Sequence, residues 1–75
     1  MASAEEVMAI ADRIKPLLAG HPPEAQGAVL AEVLSMWLAG HYQLGAAATE
    51  RLLSIHIEMT RALMFANIEI LKRRH

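Results

Sequence analysis

Four histidines, His21, His41, His56 and His75, are the side chains of this 75-residue sequence best suited to chemistry. Imidazole titrates near neutral pH and is the commonest metal ligand. Their spacing speaks against a prebuilt metal site, because a helical pair of ligands needs donors three or four residues apart. The two closest histidines, His41 and His56, are fifteen residues apart. Glu58 stands two residues from His56 and so projects from a different helix face. The absence of cysteine removes thiolate zinc sites and disulfides together. Ser3, Ser35 and Ser54 stand in no nucleophile motif, and no glycine-rich loop is present to cradle phosphate. The acids fall on helix faces that should be solvated, not paired across a cleft. The sequence thus assigns no catalytic residue, no metal and no cofactor; a metal shared between subunits is the form that stays open.

His56 has the most unusual setting. With about 100° per residue, His56, Thr60 and Asn67 fall at about 40°, 80° and 60° from Leu52, inside a broad apolar arc. A polar seam through such a face has two explanations. It can be satisfied internally, Thr60 bonding back to the carbonyl of His56 while His56 or Asn67 meets a partner helix and fixes register. Alternatively it can line a small ligand or metal pocket centred on His56, with Trp37 and Tyr42 beside it; unpaired polar groups there would each cost about 1–3 kcal/mol. The register role is the expectation and the pocket its alternative. His21 and His41 each follow a glycine that should end a helix, where imidazole interacts with the last carbonyls.

The chain ends Lys72-Arg73-Arg74-His75. Cations in a last turn complement the helix dipole, and Glu69 with Arg73 has the spacing of a favourable pair. A regulator touching nucleic acid through this cluster is a second alternative. It is disfavoured, because so few cations make a weak phosphate patch. The second helix also has no arginine, lysine or asparagine with which to reach bases.

Three helices must position these residues. The first, about 3–19, opens with Ser3 and Glu6 at capping-box spacing. It carries a narrow stripe from Val7 to Leu18, and Pro16 should kink or break it before Gly20 ends it. The second, about 22–39, starts at Pro22-Pro23-Glu24; Gly27 and Ala31 leave one edge bare for close approach of another helix. The third, about 46–74, follows a loop with Gly45 or Thr49 as its N-cap. Leu-Ala-Gly-His occurs at both 18–21 and 38–41, which two amphipathic helices ending alike account for without duplication. Short connections predict antiparallel neighbours in a single small all-α domain, 1–75.

The third helix dictates assembly. Its polar residues, Glu50, Arg51, Ser54, Glu58, Arg61, Glu69 and Lys72, share an arc of roughly 100°. Leu52, Ile55, Met59, Ala62, Leu63, Ala66 and Ile70 form one apolar stripe; Leu53, Ile57, Met64, Ile68 and Leu71 form a second. Two stripes imply two packing partners. Phe65 sits among the polar residues, as a possible anchor for a further contact. A chain this short buries only about 60% of its unfolded surface and has a marginal core alone. The interface should run through Leu52, Ile55, Met59, Leu63, Ala66 and Ile70, with the chain's own copy as partner in a homodimer or higher even oligomer; another protein is a further candidate. Composition supports close-packed helices, with 55% hydrophobic residues but only 4% aromatic. A formal charge of −1 supplies no general attraction to polyanions. Charges at Glu58, Arg61 and Glu69 oppose a membrane span, and the acidic start with Glu5 and Glu6 opposes a signal peptide. The expectation is a cytoplasmic, non-catalytic helical interaction module.

Overall fold

The computed structural model describes residues 1–74. They form α1 (Ala4–Leu18), α2 (Pro23–Ala39) and α3 (Ala46–Arg74), with a 3-10 turn at Tyr42–Leu44 and no strand among the described residues. The all-α, three-helix reading holds. His75, the fourth histidine and last member of the basic cluster, lies outside the described residues. Contacts divide the chain within α2 into two compact units, Met1–Val33 and Leu34–His75.

The first unit holds α1 and the start of α2. Ser3 caps α1 reciprocally: its hydroxyl accepts from the Glu6 amide at 3.1 Å, while its own amide donates to the Glu6 carboxylate at 3.3 Å. The helix does not break at Pro16; it runs through Lys15 to Leu18. Proline deprives the Asp12 carbonyl of its donor, but Asp12 is exposed and only two residues of helix follow Pro16, so a single backbone bond is lost near the helix end. Ala19 is extended and Gly20 has φ +85°, which turns the chain toward Pro22 and Pro23. The Gln26 side chain then donates to the Leu18 carbonyl at 2.7 Å, tying the new helix to the end of the old one. Ala11, Leu18, Ala25 and Gln26 are the half-buried residues of this unit.

In the second unit, α2 ends as the Gly40 amide donates to the Met36 carbonyl and that of His41 to Leu38, each at 3.0 Å. The 3-10 turn follows, Gly45 takes φ +94°, and its carbonyl accepts from the Thr49 amide in the first turn of α3. Gly45 therefore precedes α3, and Thr49 lies inside it, donating its hydroxyl to the same carbonyl at 2.8 Å. Leu34, Leu38, Ala48, Thr49, Leu52, Leu53 and His56 are half-buried. Every described residue of α3 beyond His56 is exposed.

Two local expectations change. Glu69 pairs with Lys72, at 3.7 Å, and not with Arg73; both groups are exposed, so the pair is worth little. Nothing lies within 4 Å of where a Cβ on Gly27 would sit, so α1, the other helix of its unit, does not use that bare edge. No described side chain is fully buried anywhere in the chain.

These glycines predict opposite responses to one substitution. Gly20→Ala should destabilise by about 1 kcal/mol, because a positive φ penalises any Cβ even in open space. Gly27→Ala should stabilise by about 0.5–1 kcal/mol through helix propensity. Chemical denaturation of both variants checks the signs; a loss at Gly27 would mean that another helix packs against it.

Candidate functional site

In the second unit the rings of Trp37, His41 and His56 meet at the junction of α2, the 3-10 turn and α3. Trp37, on the last turn of α2, is the hub. The His56 ring meets it edge-on with centroids 4.8 Å apart and planes at 78°. The His41 ring does the same at 5.7 Å and 68°. Edge-to-face pairs of this kind are worth about 0.5–1.5 kcal/mol beyond the area they cover. The His41 pair follows from local spacing, since His41 comes four residues after Trp37; the His56 pair joins α3 to α2.

Both imidazoles are oriented from behind by backbone. His41 Nδ1 lies 2.8 Å from the Trp37 carbonyl, and His56 Nδ1 lies 2.7 Å from the Leu52 carbonyl. A carbonyl only accepts, so each Nδ1 carries the proton. His41 thereby fills one of the orphan acceptors at the end of α2, the capping role its sequence position implies. Thr60 donates to the His56 carbonyl at 2.7 Å, again as the spacing implies. Half-burial, a ring contact and a backbone bond give His56 the environment of a structural histidine.

The remaining seam residues separate. Asn67 follows His56 by eleven residues, about 16 Å along the helix, on the exposed half of α3. Tyr42 is 71% exposed and borders an open hollow with Leu38, Ala39, Ala46, Thr49, Glu50 and Leu53, which includes neither His56 nor Trp37. His56, Thr60 and Trp37 thus come together, while Asn67 and Tyr42 stand apart from them. His41 belongs to the group; its four-residue spacing from Trp37 was the signal for it.

Two other surfaces have form. In the first unit, Ile14, Leu17, Leu18, Val29 and Leu30 line a small apolar cleft of about 160 Å³, edged by His21 and Gln26. Along α3, Phe65 is 61% exposed and sits with Ile57, Thr60, Arg61 and Met64 around a shallow hollow. Phe65 is therefore part of a mixed patch instead of an isolated aromatic. Among the described residues, no cluster of three or more histidines, cysteines or acids could hold a metal ion, and no helix is long and apolar enough to cross a membrane.

Ile55, Met59, Leu63 and Ile70 expose 44 to 57% of their surface. Leu52, the first residue of the same stripe, is half-buried. The six residues expected to form an interface thus divide into one that faces its own unit and five, including Ala66, that are open to solvent. No protein-family model, curated protein or solved structure matches the chain.

The ring cluster yields a direct prediction. Trp37 is the only tryptophan, so its emission reports this junction alone. His56→Ala should shift that emission to the red and lower stability by about 1 kcal/mol, through loss of one edge-to-face contact and one backbone bond. His21→Ala, in the other unit, should leave the spectrum unchanged. Equal spectra for wild type and His56→Ala would show that the ring contact does not exist in solution.

Proposed function

We propose that this chain is a self-assembling helical module without catalytic activity of its own, which forms a homodimer or higher even oligomer chiefly through α3. The observation that carries the reading is the run Ile57 to Arg74, eighteen consecutive residues without one half-buried side chain, although much of the run is apolar. Exposed large side chains on it include Met59, Leu63, Met64, Phe65 and Leu71, each 46 to 61% accessible. A contiguous apolar surface of this kind marks an interaction site.

Magnitudes decide how much of α3 must take part. Covering the open half of Ile55, Met59, Leu63 and Ile70 contributes about 1 kcal/mol per side chain, or roughly 8 kcal/mol over two copies. Association costs about 4–15 kcal/mol in lost translation and rotation. One stripe alone therefore gives weak pairing. Ile57, Met64, Ile68 and Leu71, 39 to 53% exposed, roughly double the gain when they are also covered. This favours assemblies that cover both stripes.

A ligand or metal reading centred on His56 has less support, since that ring already has Trp37 and the Leu52 carbonyl as partners. Contact with nucleic acid rests only on Lys72, Arg73 and Arg74 in the last turn, where the dipole accounts for them.

Light scattering at micromolar concentration should give a multiple of 8.2 kDa. A monomer of that mass which melts cooperatively would overturn the reading. Met59→Glu and Leu63→Glu should each dissociate or unfold the protein, because an unpaired charge costs several kcal/mol on entering an apolar contact. Wild-type mass and melting in both variants would remove α3 as the contact surface.

A further inference from the structure

Resting on that reading, we infer that two copies of α3 pair antiparallel over residues 59–70, with Met59 of one copy opposite Ile70 of the second and Leu63 opposite Ala66. The basis is a seam that changes cover halfway along. Thr49, Leu52, His56, Met59, Leu63, Ala66 and Ile70 follow one another at spacings of three and four, the repeat of a helix that packs along another helix. Its first three members are half-buried within the second unit, whereas the last four are exposed. The uncovered half continues an existing packing face, and helical spacing calls for a helical occupant.

Three features select a second copy in the antiparallel sense. First, sizes match: the central layers set a large Leu63 against a small Ala66, while parallel pairing would set Ala66 against Ala66 and leave a void. Second, the polar flank matches. Thr60 and Asn67 come side by side across the antiparallel contact, and the Thr60 hydroxyl, which already donates to the His56 carbonyl, can accept from the Asn67 amide. Third, the charges separate. Parallel pairing stacks Lys72, Arg73 and Arg74 on their equivalents. The antiparallel register places the two clusters about 25 Å apart along the axis, beyond the Debye length of about 8–10 Å, and opposes the helix dipoles.

The absence of native cysteine makes disulfide trapping a clean test. Met59→Cys and Ile70→Cys are prepared singly and also co-expressed, one carrying an affinity tag, then oxidised with glutathione disulfide and resolved without reductant. In the proposed register each cysteine is about 16 Å along the axis from its own equivalent but level with the other, and a disulfide needs Cα atoms within about 7 Å. The co-expressed pair should yield several-fold more linked dimer than either single variant. The exposed pair Thr60→Cys and Asn67→Cys repeats the test if the seam positions do not tolerate substitution. Strong self-linking by each single variant overturns the proposal in favour of parallel pairing. Failure of both mixed pairs to link, while the reduced proteins scatter light as dimers, overturns this register and leaves the assembly reading intact. Monomeric reduced variants beside a monomeric wild type overturn both.

Discussion

Apolar surface on α3 is in excess of what the same unit covers. Its N-terminal turns set Leu52, Leu53 and His56 toward the end of α2 and the 3-10 turn, and these residues lose about half or more of their exposure. Past His56 the helix continues for eighteen described residues with no such cover, and its apolar positions spread over most of the circumference. Most of a helix's stability in a protein comes from packing of its apolar face against other elements. The C-terminal half of α3 therefore depends on a surface that a single copy of its unit does not provide, and the proposed assembly follows from that dependence.

The aromatic junction sets where covered helix gives way to open helix. Trp37 holds both His41 and His56 edge-on, and each imidazole is steadied by the backbone carbonyl four residues before it. The Trp37–His56 ring contact joins the start of α3 to the end of α2, beside the half-buried Leu34, Leu38, Leu52 and Leu53. A polar anchor suits a site at the margin of an apolar face, since its groups are satisfied whether or not a partner is present. The same satisfaction leaves His56 with little left to offer a ligand, and so links the chemistry of the junction to a structural role.

Much of the architecture was legible because its signals are local. Ser3 with Glu6, the Pro22-Pro23 start and the glycines at 20, 40 and 45 mark ends of helices through backbone geometry alone, and the helices begin and end within two residues of those marks. The bond from Thr60 to the His56 carbonyl was legible for the same reason, as was the capping by His41. Long-range placement was not. Gln26 reaching the Leu18 carbonyl depends on how the turn at Gly20 folds back, and the grouping of Trp37 with His56 depends on the turn at 41–45. Angular position placed His56, Thr60 and Asn67 on one line of α3, but not where along that line the end of α2 would stop covering it. Of the kink or break expected at Pro16, the break does not occur, because the proline removes one backbone bond and only two residues of helix follow it.

Self-association of α3 is the central claim, and it ties stability to concentration. Binding that involves only the folded form raises stability by mass action, so an obligate assembly melts at a temperature that depends on protein concentration. The most direct measurement is the helical circular dichroism signal followed through thermal unfolding over a thousandfold dilution series. A melting temperature that falls steadily with dilution, with loss of helix at the lowest concentrations, is the result the account predicts. A single cooperative transition at the same temperature throughout the series would contradict it.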